Sequence, residues 1–288
     1  MTAIIEERAA AKINLTLRVL GRRADGYHEL ESLVAFADFG DRLMLRQGEP
    51  TALRVTGPFA AAVDGPNLVE MAVRRALEAE PGLSVGSIVL EKNLPVAAGL
   101  GGGSADAAAA LRAIRRANPE KGASVDWNAL AAALGADVPI CLASRPALMR
   151  GVGERIQPLD SLPGAAIVLA NPGVPLATRD VFTALDAPPL HAPPQGSAPV
   201  PAFADIHELC AYLRVCGNDL ERPAAALCPA VIHVKSVLAA APGALLARMS
   251  GSGPTCFALF ARETEAAAAA ETLGRDRPDW WVAATRMV

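Results

Sequence analysis

The sequence predicts an α+β fold, with strand patterns concentrated in its first part and mixed strands and helices in its second part. Apolar and polar residues alternate over residues 12–20, which is the period of a strand. Four glycines within residues 99–103 lie between a predicted strand and a long alanine-rich helix. The pattern changes near residues 158–163, so we expect two domains, 1–160 and 161–288.

The elements of the first part follow from periodicity and from turn and capping residues. The strand over 12–20 is followed by Asp25-Gly26, a turn signal, and then by short apolar runs. Helices are predicted where apolar residues recur at helical spacing between a start signal and a Pro or Gly stop. The predicted strands are 12–20, 33–36, 43–46, 87–93, 139–142 and 147–150, and the predicted helices are 67–79, 104–118 and a segment from Ser124 or Asp126 to Gly135.

The same criteria predict four strands and four helices in the second part. The strands are 165–170, 245–249, 256–260 and 281–284, and the helices are 178–185, 205–214, 229–241 and 263–273. Residues 188–201 contain six prolines. Because such a stretch cannot form regular structure, we predict a surface excursion there.

The composition limits the functional classes. The chain has 288 residues, 52% of them hydrophobic, and a net charge of −3, and its basic residues form no stripe that would suit a nucleic-acid backbone. No apolar run approaches the roughly 20 residues of a membrane helix. Acidic residues near the first position do not fit a signal peptide. We therefore expect a cytoplasmic monomer or homodimer, with neither nucleic acid nor a membrane as a partner.

The five cysteines form no CxxC pair, which argues against a disulfide framework and fits a reducing compartment. A zinc site could be assembled from His207, Cys210, Cys216 and Cys228. Their spacing matches no standard ligand pattern, and partly buried thiols in an alanine-rich core are the favoured interpretation.

The most informative segment is the glycine-rich loop, with glycines at 99 and 101–103 before a helix predicted to begin at Ser104. Glycines permit positive φ and let consecutive N–H groups face one concavity, to which the helix N-terminus adds positive charge. These features predict a phosphate site. A flexible linker or a tight turn before the helix is the alternative. Asp106, in the first helical turn, is interpreted as interacting favourably with the helix dipole and not as catalytic.

Two familiar phosphate-binding loops are excluded by spacing. No lysine follows the glycines, as the pattern GxxxxGK[ST] requires. The pattern GxGxxG requires a glycine at its sixth position, which is Ser104 counted from Gly99 and Asp106 counted from Gly101.

Three segments resemble the motifs of the GHMP kinases, the family named for galactokinase, homoserine kinase, mevalonate kinase and phosphomevalonate kinase. Residues 90–111, LEKNLPVAAGLGGGSADAAAAL, resemble the second motif. Residues 11–15, AKINL, and 248–254, RMSGSGP, resemble the first and the third motifs, and the third packs beside the phosphate loop in that family. This chain has Ala97-Ala98 and Ala105 where the family commonly has glycine and serine.

One branch of that family is especially similar. The similarity extends over residues 11–32, 134–139 and 151–154, and the acceptor of that branch is a small molecule with a cytidine diphosphate moiety. The resemblance implies an ATP-dependent, Mg²⁺-using kinase of non-mevalonate isoprenoid precursor biosynthesis. It also implies a two-domain fold, with a ribosomal protein S5-like N-terminal domain and a ferredoxin-like C-terminal domain. Homoserine, mevalonate or a sugar is the alternative acceptor, and a nucleotide-binding regulatory protein without turnover is the alternative class.

The resemblance makes Lys12 and Asp137 the catalytic residues. Phosphoryl transfer needs a carboxylate near the acceptor hydroxyl and a cation near the transferred group. From the residues alone, Asp137 would be a turn-capping residue after Gly135, and Lys12 would be an outward-facing strand residue.

The other candidate residues form two groups, which the resemblance assigns to ATP and to the acceptor. The ATP group consists of Lys92 and the loop residues Pro95, Val96, Ala97, Ala98, Gly99, Leu100, Gly101, Gly102, Gly103, Ser104 and Ala105. Helix capping by Ser104 and a solvated strand end at Lys92 are the alternatives. The acceptor group consists of Asn14, Tyr27 and His28, with Phe182 as a second stacking candidate. A hairpin flank at 27–28 and core packing of Phe182 are the alternatives.

Overall fold

The fold is described from a computed structural model that covers residues 4–191 and 199–288. The chain divides into two units. The first comprises the chain up to Lys12, Phe39–Val96 and Gly101–Ser144, and the second comprises Ile13–Asp38, Ala97–Leu100 and Arg145–Val288. Each unit is therefore built from segments that are distant in sequence. The expected domains 1–160 and 161–288 stay a prediction.

The described residues form eleven strands and nine α-helices. The strands are β1 (Ile4–Asn14), β2 (Arg18–Arg22), β3 (His28–Arg46), β4 (Ala52–Thr56), β5 (Ser87–Glu91), β6 (Ala147–Gly151), β7 (Arg155–Pro158), β8 (Ala166–Asn171), β9 (Ala244–Met249), β10 (Cys256–Phe260) and β11 (Trp281–Arg286). The helices are α1 (Leu68–Ala79), α2 (Gly102–Ala117), α3 (Trp127–Leu134), α4 (Val138–Ala143), α5 (Thr178–Leu185), α6 (Ile206–Cys216), α7 (Glu221–Leu227), α8 (Ala230–Ala239) and α9 (Glu263–Asp276). None of these helices combines the length and the apolar character that crossing a bilayer would require.

In the first unit, strands pair through β5 and helices gather around α2. The second half of β3 pairs antiparallel with β5, with Leu43 opposite Leu90, and β4 pairs parallel with β5, with Leu53 opposite Ile88. Helix α2 contacts α1, α3 and α4. Its buried residues are mostly alanine, and such small side chains let the three helices pack closely against α2.

In the second unit, a four-stranded antiparallel sheet has the order β11-β8-β10-β9. Helices α8 and α9 contact this sheet and share one apolar core with it, to which Leu238, Phe260 and Leu273 contribute buried side chains. The first half of β3 pairs antiparallel with β2 and with β6, and β6 pairs with β7. This second set of strands presents the turn that follows β2.

The predicted helices are confirmed to within a few residues, and three of them begin at the capping residues that sequence indicates. Asn67, Asp126 and Asp205 each accept hydrogen bonds from N–H groups in the first turn of α1, α3 and α6. The helix predicted over 104–118 begins earlier, because Gly101 has a left-handed conformation and ends the loop there. Ser104 therefore lies in the first turn of α2, and the prediction that it caps the helix is wrong.

Four strand predictions need correction. The strand predicted over 12–20 is divided between β1 and β2, because the N–H groups of Leu15 and Thr16 both donate to the carbonyl of Leu33 and interrupt the regular ladder. The strands predicted at 33–36 and 43–46 are parts of one strand, β3. Residues 139–142 lie in helix α4, whose first turn accommodates a proline because the first N–H groups of a helix have no partner within it.

The sequence patterns missed β4, β7 and α7, all of which are short. In the proline-rich stretch, residues 192–198 lie outside the described residues. Its first residues are more regular than predicted: Arg22 N–H donates to Pro188 O at 2.8 Å, and Leu190 N–H donates to Arg22 O at 2.7 Å. This part of the stretch therefore runs beside β2.

Candidate active site

In the first unit, Lys12 and Asp137 form an ion pair, with Nζ and Oδ1 2.9 Å apart. Lys12 is only 4% exposed, so the outward-facing strand residue that alternation alone predicts is wrong. Asp137 directly precedes α4 and makes no capping hydrogen bond with its side chain, so the capping interpretation is wrong as well. A buried ammonium group is costly without a charged partner. Asp137 supplies that partner, and its side chain is 35% exposed.

The end of the glycine loop lies beside Lys12. Gly101 has a φ of +64°, and a Cβ atom on it would lie 3.2 Å from Cε and 3.3 Å from Cβ of Lys12. The hydrogen bond from Ala105 N–H to Gly101 O opens helix α2. The N–H groups of residues 102–104 therefore lie at the free end of the helix, where partial positive charge favours an anion.

The beginning of the loop, Ala97–Leu100, belongs to the second unit and packs against the C-terminal glycine motif. A Cβ atom on Gly99 would lie 2.5 Å from Ser250 O and 2.8 Å from Gly253 O. Ser250 Oγ donates to Gly99 O at 3.0 Å. The second and third motifs therefore meet backbone to backbone, as the resemblance implies. Ala97 has a φ of +53° in spite of its side chain.

Asn14 is buried and holds the same C-terminal motif. Its N–H donates to Ser250 Oγ at 3.1 Å, and its Nδ2 donates to Ser32 Oγ at 2.7 Å. Asn14 does not line the cavity that contains the other acceptor residues. Its predicted contact with cytidine stays a prediction.

Asn218, which no sequence pattern singles out, also fixes the C-terminal motif. Its Nδ2 donates to Met249 O and to Gly251 O, both at 2.9 Å. Its Oδ1 accepts from Leu220 N–H at 2.9 Å. Gly217-Asn218 has the pattern of an ordinary helix end, and only the long-range contacts reveal its role.

Lys92 lies close to Gly102, the first residue of α2, and contacts two carboxylates. Lys92 is buried, donates to Asp106 Oδ2 at 2.6 Å and also donates to Asp41 Oδ2, so the solvated strand end is wrong. Its contact with nucleotide stays a prediction. A Cβ atom on Gly102 would lie 3.6 Å from Lys92 Nζ and 3.7 Å from Asp41 Oδ2.

The ionisation of this cluster is strongly perturbed. Burial raises the pKa of Asp106 to about 7, opposed by the charge of Lys92 and reinforced by that of Asp41. Burial acts to lower the pKa of Lys92, but its two carboxylate neighbours together outweigh that and raise the pKa. Asp106 is therefore a member of a buried ion cluster. Because α2 begins at Gly102, Asp106 lies beyond the first turn, and the predicted first-turn position beside the helix dipole is wrong.

In the second unit, Tyr27, His28 and Phe182 line one cavity of about 560 Å³, together with Arg22 and Val152. The rings of His28 and Phe182 stack with centroids 4.8 Å apart, and Tyr27 is 66% exposed. Tyr27 and His28 do flank the hairpin turn at Asp25-Gly26, so the hairpin and a binding role are compatible. Burial and the nearby charge of Arg22 lower the pKa of His28, which favours the neutral imidazole with one donor and one acceptor nitrogen.

Within residues 4–191 and 199–288, no group of three His, Cys, Asp or Glu side chains is arranged to hold a metal ion. Of the thiols considered for zinc, Cys210 and Cys228 are buried, Cys216 is half-buried, and all three are free. The chemistry on offer is thus a carboxylate paired with an ammonium group, together with backbone amides at the start of a helix. This set suits the transfer of a phosphoryl group to a hydroxyl.

Two protein-family models match the chain. The model described as the GHMP kinases N terminal domain matches residues 67–145, and the model described as GHMP kinases C terminal matches residues 200–278. The first match includes the glycine loop and Asp137, and the second includes the C-terminal glycine motif.

The chain is also similar over almost its whole length to proteins named 4-diphosphocytidyl-2-C-methyl-D-erythritol kinase. The relative from Parvibaculum lavamentivorans is 52% identical over 284 residues, which are 98% of this chain and 98% of the relative. The relative from Paracoccus denitrificans is 51% identical over 282 residues, which are 97% of this chain and 95% of the relative.

Solved structures agree with these similarities. A crystal structure of 4-(cytidine 5'-diphospho)-2C-methyl-D-erythritol kinase has 35% sequence identity and a TM-score of 0.76, and the match covers 98% of this chain and 99% of that one. A homoserine kinase from Cytophaga hutchinsonii has 20% identity and a TM-score of 0.69, covering 100% of this chain and 95% of that one, and it shares the fold.

Proposed function

The chain belongs to the 4-diphosphocytidyl-2-C-methyl-D-erythritol kinases of the GHMP kinase family, and from this premise we propose its reaction and the residues that carry it out. The protein transfers the γ-phosphoryl group of ATP to the 2-hydroxyl of 4-diphosphocytidyl-2-C-methyl-D-erythritol. The product is an intermediate of non-mevalonate isoprenoid precursor biosynthesis. We place the reaction in the cytoplasm.

The observation that supports this proposal most directly is the 2.9 Å ion pair of Lys12 and Asp137. Asp137 orients the acceptor hydroxyl and accepts its proton late in the transfer, because little covalent chemistry is required of the protein in a loose transition state. Lys12 holds Asp137 in place and places positive charge where the transferred phosphoryl group passes. Water-accessible Asp137 and buried Lys12 fit these two roles.

The loop Pro95–Ala105 binds the triphosphate in this proposal. The backbone N–H groups at the start of α2 provide fixed donors that need no reorganisation during the reaction. Ser104 lies in the first helical turn and is half-buried, so its hydroxyl is available to donate to a phosphate oxygen.

Mg²⁺ fits this site as an ion held mainly by the nucleotide. Mg²⁺ retains several waters and binds through substrate phosphates and few protein oxygens, and the described residues offer no dedicated three-residue cage. Ser104 is the residue that we assign to the hydrated ion, through water. When bound, Mg²⁺ neutralises charge on the β- and γ-phosphates.

The cavity of Tyr27, His28 and Phe182 binds the cytidine end of the acceptor in this proposal. Stacked or exposed aromatic rings suit a pyrimidine, and a neutral His28 can exchange hydrogen bonds with a pyrimidine edge. We assign Asn14, which lies on β1 two residues after Lys12, as a further contact to the cytidine part of the acceptor.

Phosphorus NMR tests the proposal. The protein, ATP, Mg²⁺ and 4-diphosphocytidyl-2-C-methyl-D-erythritol should give ADP and a new phosphomonoester signal coupled to the carbon skeleton at the 2-position. Parallel samples with homoserine or mevalonate should show ATP unchanged. Folded protein that produces the phosphomonoester only from one of those other acceptors would contradict the assignment.

A further inference from the structure

Asp41 is a fully buried carboxylate whose two oxygens serve different segments. Its Oδ1 accepts from the backbone N–H of Leu94 at 2.8 Å and from that of Asn93, the residues directly before Pro95. Its Oδ2 accepts from Lys92 Nζ. Asp41 therefore fixes the chain as it leaves β5 and begins the glycine loop.

Lys92 links Asp41 to helix α2, at the other end of the loop. Its Nζ donates to Asp106 Oδ2 at 2.6 Å, and Asp106 lies in α2, which begins at Gly102. The first residue of α2 lies directly against the cluster: a Cβ atom on Gly102 would be in van der Waals contact with Lys92 Nζ, at 3.6 Å. One ion cluster thus holds residues 92–94 and the start of α2 at a set distance. All of these residues belong to the first unit.

Burying three charged side chains in this cluster is energetically unfavourable compared with packing apolar residues. Burying charges costs several kcal/mol for each ion after relaxation, and well-packed apolar residues are often as stabilising. Here two carboxylates share one ammonium group, and Asp106 Oδ1 has no hydrogen-bond partner in the described structure. Burial, reinforced by the nearby charge of Asp41, raises the pKa of Asp106. Fixing the geometry of the loop explains this cost better than stability does.

We propose that Asp41, Lys92 and Asp106 are positioning residues that set the spacing between the two ends of the glycine loop and thereby its affinity for the triphosphate of ATP. The inference rests on the proposed function, because it assumes that the loop binds ATP. These residues act through the backbone of the loop, and none of them is assigned a part in the chemical step.

Three substitutions test the inference. Asp41→Asn keeps the shape but turns an amide NH₂ group towards Lys92, and Asp106→Ala removes an acceptor of Lys92. Each should raise the KM for ATP, and the Kd of the non-hydrolysable analogue adenylyl imidodiphosphate, by about tenfold or more, because small displacements of positioning groups cost that much. The KM for the cytidine-containing acceptor should stay within about twofold of wild type. Asp106→Asn retains an acceptor oxygen and should restore most of the ATP affinity lost in Asp106→Ala.

Glu7→Gln is the matched control. Glu7 forms ion pairs with Arg112 and Arg116, which lie further along helix α2. These ion pairs do not include any residue of the Asp41, Lys92 and Asp106 cluster. This variant should lose stability in urea unfolding but keep the wild-type KM for ATP.

The outcomes separate the inference from the function on which it rests. Folded Asp41→Asn and Asp106→Ala proteins with wild-type ATP affinity would overturn the inference alone. If Asp41→Asn does not fold, the comparison of Asp106→Ala with Asp106→Asn decides, and equal ATP affinities in these two variants overturn it. A wild-type protein without phosphoryl transfer would overturn the proposed function as well.

Discussion

The imidazole of His28 stacks on the phenyl ring of Phe182, with ring centroids 4.8 Å apart and ring planes inclined by 27°. The two residues come from β3 and α5, both in the second unit. Exposed Tyr27 lines the same cavity. Three rings in one cavity, one of them a neutral imidazole, support the proposal that this cavity binds a pyrimidine.

Phe182→Ala should weaken acceptor binding selectively. Loss of a ring that stacks on a base costs about 1–3 kcal/mol, so the KM for the acceptor should rise by about tenfold, while the KM for ATP stays within about twofold. Steady-state kinetics with each substrate varied in turn measures both constants. Phe203→Ala is the control, because Phe203 lies against Tyr212 at 5.3 Å between centroids and outside this cavity. An equal effect of both substitutions would remove the assignment of the cavity to the acceptor.

Asp137→Asn should slow the chemical step. The amide preserves the size of the side chain but cannot accept the hydroxyl proton, so kcat should fall by about 100-fold or more, with little change in ATP affinity. ADP release in a coupled assay measures the rate. Asp126→Asn serves as the control, since Asp126 caps α3 in the same unit and asparagine caps equally well. Undiminished turnover in the Asp137 variant would favour a protein whose ATP consumption does not use this carboxylate.

Ala97→Gly should stabilise the protein. Ala97 is exposed and has a φ of +53°, a conformation that disfavours a side chain, so glycine should raise the free energy of unfolding by up to about 1 kcal/mol. Ala98 is buried and lacks positive φ, so Ala98→Gly should lower that free energy by about 1 kcal/mol. Urea unfolding of the two variants compares adjacent residues directly. Destabilisation by both substitutions would show that the backbone at 97 is not strained.

Asp106 should make stability depend on pH in the acid-to-neutral range. Its pKa is about 7 in the folded protein against an ordinary 3.8, so between these values the folded chain holds a proton that the unfolded chain has released. The free energy of unfolding contributed by this group is full below the ordinary pKa and is lost as pH rises through about 7. Urea unfolding at pH 5 and pH 8 should therefore show a larger loss of stability in wild type than in Asp106→Asn. Equal losses would contradict the raised pKa.

Helices and their caps could be predicted well from the sequence, whereas the extent of strands could not. Asn67, Asp126 and Asp205 carry local signals that determine where a helix begins. The division of the predicted strand 12–20 depends instead on Leu33, a residue distant in sequence whose carbonyl accepts from two successive N–H groups. No local pattern contains that information.

The candidate site was predictable only as far as the resemblance reached. Alternation places Lys12 on an outer face, yet the structure buries it against Asp137. Asp41 follows Gly40 and has the pattern of a turn, yet it lies fully buried within a continuous strand. In both cases a charge is buried because a partner distant in sequence compensates it, and single-sequence periodicity does not identify such partners.

The contact between Gly99 and the backbone of Ser250 and Gly253 constrains how this protein can be recombined with its homologues. Gly99 fits against the backbone of Ser250 and Gly253 with no side chain of its own to absorb a mismatch. A chimera that joins the loop of one homologous chain to the C-terminal part of another would bring together two backbones that were never shaped to match. Exchanging residues 97–100 and 250–253 together keeps the two backbones matched. In a chimera, the two segments should therefore come from the same homologue.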